Sequence, residues 1–276
     1  MAGGGKPKLG QNFLADTNAA EKIVAALGDV AQALVVEIGP GKGALTEALA
    51  GRAGRLIAIE LDHMLAAELR YKYSRHAHVE IIEGDVLRID FRTVLNRTIG
   101  PLNDLRPNKP SRARVIGNLP YYITSDILLH LFEFYDQFDM IVIMMQREVA
   151  DRIAAQPGSR DYGLLSATAQ LYCEVQKLFT LPPGAFSPPP KVHSSVLRLK
   201  VAPRFAELQV QPRDFIDFLK TAFAMKRKTL LNNLKKKYGE TRIRAALKEA
   251  GVRGDVRAEA LSLEKSATVF RSLNRQ

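Results

Sequence analysis

Short apolar runs alternate with amphipathic segments along the first half of the chain. The runs have the length and β-branched content of buried strands, and they read ALVVEIG, RLIAIEL, VEIIEGD, ARVIGNLP and DMIVIMMQ. Between them, apolar residues recur at helical spacing, as in residues 17–28, where Asp16 or Thr17 is available as the N-cap. Strands that alternate with helices predict an α/β fold, with a doubly wound, mostly parallel sheet covered by helices on both faces.

The pattern changes near Pro203. The stretch SSVLRLKV alternates apolar and polar residues and predicts a last strand, whereas the three later stretches are amphipathic at helical spacing: DFIDFLKTAFAMKRKTLLNNLKKKYG, TRIRAALKEAG and EALSLEKSATVFRSL. Residues Asn96 to Arg114 contain three prolines and no apolar periodicity, so we expect a surface loop there. The sequence therefore predicts an α/β domain of residues 1–203 and a small all-α domain of residues 204–276.

Charge is distributed unevenly along the 276 residues, which carry a net charge of +11. Residues 1–186 contain 20 Lys and Arg against 21 Asp and Glu, whereas residues 187–276 contain 20 against 8. Because clustered basic residues attract phosphates, this asymmetry indicates a polyanion that contacts mainly the C-terminal domain. A basic helix face that is merely solvated remains an alternative.

The number of cysteines, the spacing of histidines and the lengths of the apolar runs argue against a disulfide-bonded, metal-binding or membrane-spanning protein. The single Cys173 cannot form an intrachain disulfide, and His76 and His78 have no further candidate ligands nearby, so we expect no metal site. The longest apolar run, Met140 to Met145, is far too short to span a bilayer, and no signal-peptide pattern is present. We expect a soluble, cytoplasmic protein that acts as a monomer.

A glycine-rich turn follows the first predicted buried strand. In VVEIGPGKGAL, Gly39, Gly41 and Gly43 let the backbone approach a ligand closely in front of a helix N-terminus, although a purely structural turn is an alternative. Glu60 closes the next strand, where a carboxylate accepts hydrogen bonds from ribose hydroxyls. Asp85 closes the strand after that, within reach of an adenine amine. Either acid alone could be a helix N-cap, but together they indicate an adenosine-containing ligand, NAD or S-adenosylmethionine.

Motifs along nearly the whole chain resemble those of one family. The arrangement E-x-G-x-G-x-G resembles motif I of class I methyltransferases, and five stretches are similar to the ribosomal small-subunit RNA adenine N6,N6-dimethyltransferases of the KsgA type, relatives of the erythromycin-resistance methylases. These stretches are LGQNFL, EIGPGKGALT, EGDVL, GNLPYYIT and FSPPPKVHSSVL. The segment KRKTLLNNLK also resembles the C-terminal signature of the family. The departures, at Tyr122, Thr124 and Met225-Lys226, remove no group with a chemical role.

The resemblance implies a Rossmann-like class I methyltransferase fold with a seven-stranded sheet and a small all-α C-terminal domain. It implies S-adenosylmethionine as cofactor. The residues that it assigns to cofactor contacts are Asn12, Leu14, Gly39, Glu60, Asp85 and Asn118.

The stretch RVIGNLPYYIT carries the expected catalytic chemistry. The adenine amine is a poor nucleophile because its lone pair is delocalised into the ring, and the side-chain oxygen of Asn118 and the carbonyl of Leu119 are suitable acceptors for its hydrogens. Pro120 would stiffen this corner. Tyr121 is expected to stack against an extruded base, with Phe186 as the opposite wall. The alternatives are a half-buried surface aromatic for Tyr121 and a core anchor for Phe186.

The resemblance implies N6,N6-dimethylation of two adjacent adenosines in the hairpin loop near the 3′ end of small-subunit (16S) ribosomal RNA, within the immature subunit. Residues expected to contact the RNA backbone are Lys226, Arg227, Lys228, Lys235, Lys236 and Lys237. One alternative is a large-subunit RNA adenine methylase of the antibiotic-resistance type. Another is a ribosome-assembly factor for which methylation is incidental.

Overall fold

The computed structural model describes residues 12–103 and 112–275, with the backbone alone for 98–103. The chain divides into two compact units. The first comprises the residues up to Ala150 together with Gln176–Val201, and the second comprises Asp151–Val175 and Ala202–Gln276. The sequence predicted a domain boundary after residue 203, and the longer segment of the second unit begins nearby, at Ala202. It did not anticipate that residues 151–175 pack with the C-terminal helices.

The strands of the first unit form a small ladder and a seven-stranded sheet. The strands are β1 (Phe13–Leu14), β2 (Leu34–Ile38), β3 (Arg55–Glu60), β4 (Val79–Glu83), β5 (Ala113–Asn118), β6 (Phe138–Gln146), β7 (Cys173–Leu181), β8 (Phe186–Ser187) and β9 (Ser194–Val201). The sheet order is β4-β3-β2-β5-β6-β9-β7. Strands β4 to β6 in this order pair in parallel, and β9 pairs antiparallel with β6. The predicted α/β class with a mostly parallel seven-stranded sheet is confirmed.

Helices precede, connect and follow the parallel strands. They are α1 (Thr17–Ala25), α2 (Ala44–Ala50), α3 (His63–Lys72), α4 (Phe91–Asn103), α5 (Thr124–Glu133) and α6 (Arg147–Ala154). Local chemistry sets their starts: the Asp16 carboxylate accepts the Ala19 N–H at 3.0 Å, as predicted for an N-cap. The strands are apolar because helices cover them, and β2 is buried along its whole length.

Helix α4 corrects one prediction. The sequence assigned residues 96–114 to a surface loop, but the structure continues the helix to Asn103. The helix begins at Phe91, before the proline-containing stretch, and the fully buried Phe91 and Leu95 anchor its first turns. The apolar residues that stabilise α4 therefore precede residue 96, where the predicted loop began. Residues 104–111 of the predicted loop lie outside the described part of the chain, and its last two residues, Ala113 and Arg114, begin β5.

The second unit is helical apart from the first residues of β7. Its helices, besides the end of α6, are α7 (Leu164–Tyr172), α8 (Phe205–Leu208), α9 (Pro212–Ala222), α10 (Leu230–Tyr238), α11 (Glu240–Glu249) and α12 (Leu263–Asn274). The rings of Phe215, Phe218 and Phe270 lie 5.3 to 6.0 Å apart and form an aromatic core. A turn at residues 223–229 separates α9 from α10, within a stretch that the sequence presented as helical throughout.

The two-residue strand β1 fixes the N-terminal segment. It pairs antiparallel with β8, so that Phe13 lies opposite Ser187 and Leu14 opposite Phe186. The backbone N–H of Ala15 extends this connection by donating to the Ala185 carbonyl at 2.8 Å. Residues far apart in sequence are thereby joined beside the sheet. None of the described helices is long and apolar enough to cross a membrane.

Candidate active site

A cavity opens at the carboxyl ends of β2, β3, β4 and β5, the edge at which parallel sheets bind ligands. The cavity is open to solvent and has a volume of about 100 Å³. Residues lining it include Asn12, Leu14, Glu37, Gly39, Gly41, Glu60, Asp85, Asn118, Leu119, Pro120 and Tyr121. The fold therefore brings together all six residues predicted for cofactor contact and four of the five predicted for catalysis.

The glycine turn forms one wall of the cavity. Gly39, Gly41 and Gly43 all have positive φ, at 64°, 57° and 84°, in the region that glycine adopts without strain. Gly43 is the N-cap of α2, so the turn ends at a helix N-terminus. A β-carbon at Gly41 would lie 2.8 Å from the Phe13 ring, too close for the ring to keep its position. Glycine is therefore required both for the turn and for the contact with the N-terminal segment.

Glu60 connects this turn to the end of β3. Its Oε2 accepts the Gly41 N–H and its Oε1 accepts the Asp62 N–H, both at 2.9 Å, and the residue is 3% exposed. An ionised carboxylate offers about four acceptor positions, so positions for two ribose hydroxyls remain. Asp85, at the end of β4, accepts the Leu87 N–H at 3.0 Å through one oxygen. Both acids thus lie where the sequence predicted, and both also stabilise local backbone.

Glu37 is a buried acid two residues before the glycine turn. It lies in β2 at 1% exposure, lines the cavity, and its Oε2 accepts the Thr46 hydroxyl hydrogen at 2.7 Å. Burial, with a smaller contribution from nearby Glu60, raises the pKa of Glu37 to about 8 despite hydrogen bonds from Thr46. The Glu37 carboxyl is therefore mainly protonated at neutral pH, and it connects β2 to α2 beneath the glycine turn.

Asn118 is the last residue of β5, and its side chain is oriented by the N-terminal segment. The amide Nδ2 donates to the Asn12 carbonyl at 3.0 Å, so the amide oxygen is turned away from that carbonyl. The Leu119 N–H donates to the Met144 carbonyl at 3.0 Å, and the Pro120 carbonyl accepts the Thr124 hydroxyl hydrogen at 2.9 Å. These bonds fix the corner of residues 118–121 at the rim of the cavity.

The two predicted stacking residues have different environments. Tyr121 lines the cavity, is half-buried, and its hydroxyl lies 2.7 Å from the Ser194 hydroxyl. Phe186 is only 4% exposed, lies in the hydrophobic core, and is not among the cavity residues. Its pairing opposite Leu14 directs it into that core. The structure therefore places Phe186 in the core and not among the residues that line the cavity.

Several cavity residues escaped the sequence analysis. Phe13 lies between the predicted residues Asn12 and Leu14, and the Lys42 ammonium lies 5.0 Å from the centre of the Phe13 ring. Leu61, 50% exposed, follows Glu60 at the rim, and Tyr122 is 62% exposed beside Tyr121. Only their adjacency to recognised motifs could have indicated them, because no periodicity distinguishes a cavity rim from ordinary surface.

The basic residues predicted to bind RNA belong to the second unit, which holds 19 Lys and Arg against 11 Asp and Glu. Lys226, Arg227 and Lys228 are exposed on the turn between α9 and α10 rather than on a helix. Asn233 fixes this turn, because its Nδ2 donates to the carbonyls of Ala222 and Met225 at 2.6 and 3.3 Å. The remaining three predicted residues, Lys235, Lys236 and Lys237, are exposed in the last turn of α10.

The cavity, its paired acids and the asparagine corner describe a site for an adenosine-containing ligand beside a second, amine-bearing group. A family model for ribosomal RNA adenine dimethylase matches residues 4–275. The chain belongs to the ribosomal RNA adenine dimethylase family. It is therefore an S-adenosylmethionine-dependent RNA adenine dimethyltransferase, as the sequence motifs predicted.

Curated relatives of this dimethylase cover almost its full length. A protein from Koribacter versatilis named ribosomal RNA small subunit methyltransferase A is 59% identical, over 98% of this chain and 95% of its own length. A protein of the same name from Acidobacterium capsulatum is 54% identical, over 99% of this chain and 93% of its own length.

Solved structures resemble the dimethylase over both units. The 23S rRNA methyltransferase ErmE is 26% identical with a TM-score of 0.69, over 96% of this chain and all of that chain. A dimethyladenosine transferase from Plasmodium falciparum, 23% identical, has a TM-score of 0.73 over 93% of this chain and 95% of its own, and this likeness shows the fold alone.

The cavity of the dimethylase fits the methyl donor. A β-carbon at Gly39 would project to 3.7 Å from the Asn118 carbonyl oxygen, so the glycine leaves open the space between the turn and the end of β5. Carboxylates suited to ribose and to an adenine amine lie at the end of β3, at Glu60, and just after β4, at Asp85. The lining is predominantly apolar otherwise, with Leu45, Ile59 and Val86 among the residues, as expected for a nucleoside pocket.

Proposed function

We propose that this dimethylase transfers methyl groups from S-adenosylmethionine to N6 of two adjacent adenosines in the hairpin loop near the 3′ end of small-subunit ribosomal RNA. The observation that carries the proposal is the corner at residues 118–121, which presents hydrogen-bond acceptors and a ring in the same cavity as Glu60 and Asp85. The names of the relatives, which are more than half identical to this chain, support the small subunit as the source of the RNA.

Asn118 and Leu119 act on the target amine. The side-chain oxygen of Asn118 and the carbonyl of Leu119 accept the two N6 hydrogens, which favours a pyramidal nitrogen with an available lone pair. The bond to Asn12 supports this role of Asn118, because it engages the Nδ2 end of the amide rather than the oxygen that is to accept the N6 hydrogen. Pro120 and the bond from Thr124 hold both acceptors in one geometry before the substrate arrives.

S-adenosylmethionine supplies an electrophilic methyl carbon, so that an N6–C bond forms as the S–C bond breaks and S-adenosylhomocysteine leaves. The methylated amine is then acidic enough to release its proton to water, and no side chain of the dimethylase has to act as a strong base. In this proposal Glu60 binds the ribose of the donor and Asp85 binds its adenine. Gly39, Asn12 and Leu14 close the cavity around it.

Tyr121 provides the stacking surface for the extruded adenine. Extrusion from a hairpin loop costs a few kcal/mol, and stacking on an aromatic ring contributes about 1 to 3 kcal/mol. Because Phe186 is buried, we assign stacking to Tyr121 alone. Phe186 instead supports Leu14 at the cavity through the pairing of β1 with β8.

The exposed basic residues of the second unit bind the RNA backbone in this proposal. If the six residues each neutralise a phosphate, the affinity should fall steeply with salt, by nearly one log unit per log unit of salt for each contact. Such contacts orient the RNA without selecting its sequence. We further propose that the substrate is the immature small subunit, that the enzyme acts as a monomer, and that it works in the cytoplasm, where such subunits are assembled.

Labelled S-adenosylmethionine tests the proposal. The enzyme is incubated separately with immature small subunits and with large-subunit particles, and the labelled nucleotides are mapped. We expect label at N6 of two neighbouring adenosines of small-subunit RNA. Label confined to large-subunit RNA would instead support the antibiotic-resistance reading, for which the structural likeness to ErmE is the one favourable observation. Particle binding without incorporation would indicate an assembly factor.

A further inference from the structure

A pair of hydroxyl groups connects the cavity rim to β9, which lies on the other side of β6 in the sheet. The Tyr121 phenol oxygen lies 2.7 Å from the Ser194 Oγ, and Ser194 is completely buried as the first residue of β9. The two residues are 73 positions apart in sequence. Neither the resemblance nor the cavity lining assigns any role to Ser194, which is absent from the set of residues that line the cavity.

The strand register explains how the two hydroxyls meet. On β6, Met144 lies opposite Asn118 of β5, and Gln146 lies opposite Ser194 of β9. The corner at residues 118–121 therefore turns across the carboxyl end of β6, and Tyr121 reaches the strand on its other side. The Arg147 N–H, which donates to the His193 carbonyl at 3.0 Å, holds the start of β9 in place there.

The Tyr121 ring is consequently held at both ends. Its backbone belongs to the corner closed by the Thr124 bond to the Pro120 carbonyl, and its phenol oxygen is bonded to a buried serine. A phenol that is anchored in this way cannot swing about its side-chain torsions without breaking the bond. A ring without this anchor would have to be ordered by the incoming base, which would reduce the benefit of stacking.

We propose that Ser194 is a positioning residue, which sets the orientation of the Tyr121 ring so that it receives the extruded adenine. The inference rests on the proposed stacking role of Tyr121 and deepens it. It adds a residue that affects how the target adenine is placed without contacting the RNA. Its effect should appear in the stage that places the target base, whereas binding of S-adenosylmethionine should be unchanged.

The competing explanation is that the hydroxyl pair only stabilises the fold, and the chain contains a matched control for it. Ser195 is the next residue of β9, is equally buried, and lies 2.8 Å from the Thr180 hydroxyl. Successive strand residues point to opposite faces, so this second pair is directed away from Tyr121. Ser195→Ala removes a similar buried hydroxyl pair without affecting the ring.

The experiment compares Ser194→Ala, Tyr121→Phe, the double variant and Ser195→Ala in the full-length chain. Each is assayed for kcat and KM on small-subunit RNA particles, for the Kd of S-adenosylmethionine, and for thermal stability. A fourth readout is the fluorescence of an RNA hairpin with 2-aminopurine at the target adenosine, since an extruded base emits strongly unless it stacks on the tyrosine.

We expect Ser194→Ala and Tyr121→Phe each to lower kcat/KM for RNA by about two- to tenfold, the effect of losing one hydrogen bond, and the double variant to be no worse than either. Both should give brighter 2-aminopurine emission than wild type, with an unchanged Kd for S-adenosylmethionine. Ser195→Ala should lower thermal stability but leave the kinetics and the 2-aminopurine emission unchanged. Because Tyr121→Phe removes the same bond from the half-buried side, it keeps the test informative even if Ser194→Ala folds poorly.

The inference is overturned if the single effects on kcat/KM add in the double variant, or if Ser194→Ala and Ser195→Ala behave alike in fluorescence and kinetics. Tyr121→Leu separates this failure from failure of the proposed function. If Tyr121→Leu gives the same 2-aminopurine emission and the same methylation rate as wild type, Tyr121 is not the stacking surface, and the proposed function loses its base-binding step. If only the leucine variant is impaired, stacking stands and the role of Ser194 is refuted.

Discussion

Replacing Glu37 by Gln should change how the stability of the dimethylase depends on pH. The Glu37 carboxyl is buried under the glycine turn, accepts the Thr46 hydroxyl hydrogen, and is close enough to Glu60 to be affected by its charge. Glutamine has nearly the same shape and resembles the protonated acid, so the substitution removes an ionisable group with little change in packing. The prediction concerns the protein without bound cofactor.

The magnitude follows from the pKa, which burial raises from 4.5 to about 8. In the unfolded chain the carboxyl loses its proton near its ordinary value, whereas the folded chain retains it, so folding takes up a proton between these pH values. The stability associated with Glu37 is fully present below about pH 4.5 and is lost as pH rises through the folded-state pKa near 8. Since each pKa unit corresponds to about 1.36 kcal/mol, the full loss is about 5 kcal/mol.

Urea unfolding at pH 5.5, 7 and 8.5 measures the effect, with the free energy of unfolding obtained by linear extrapolation. The variant should gain stability relative to wild type with each step upward in pH, by several kcal/mol between the extremes. Glu68→Ala, at an exposed position of α3, is the control for removing a carboxyl group that is not buried. A difference between the Glu37 variant and wild type that is independent of pH would refute the reasoning.

Three further substitutions probe the corner, the turn and the basic surface. Asn118→Ala should reduce kcat by at least about a hundredfold, as expected for a lost hydrogen bond to the reacting group, while the Kd for RNA stays within about twofold; single-turnover assays decide, and normal turnover would eliminate the mechanism. Gly41→Ala should lower the free energy of unfolding by about 1 to 2 kcal/mol or more, because φ is 57° and the ring of the N-terminal segment must move. Gly51→Ala, with no atom within 4 Å of the added carbon, is its control in urea unfolding, and equal midpoints would contradict the strain argument. Asn233→Leu should weaken RNA binding about three- to tenfold, because the basic turn loses two side-chain bonds. Asn232→Ala should not, and equal affinities in filter binding would show that Asn233 does not organise that turn.

Local sequence patterns determined much of this protein. The strand runs, the glycine turn and the Asp16 cap are each encoded by neighbouring residues, because side-chain periodicity and backbone conformational preference act over a few positions. The carboxyl ends of parallel strands meet at one edge, so the positions of Glu60 and Asp85 at strand ends were sufficient to predict a shared site. The resemblance of the motifs to a known family then predicted the cofactor, S-adenosylmethionine, and the reaction, adenine methylation.

Only the tertiary structure decided which distant side chains meet. The pairing of β1 with β8 buries Phe186 opposite Leu14, whereas the sequence predicted a place for it at the cavity. The register of β9 on β6 brings Ser194 to Tyr121, and the packing of α7 with α9 joins residues 151–175 to the C-terminal helices. Strand register and helix packing depend on contacts over the whole chain, and a shift of one residue turns every side chain of a strand to the opposite face.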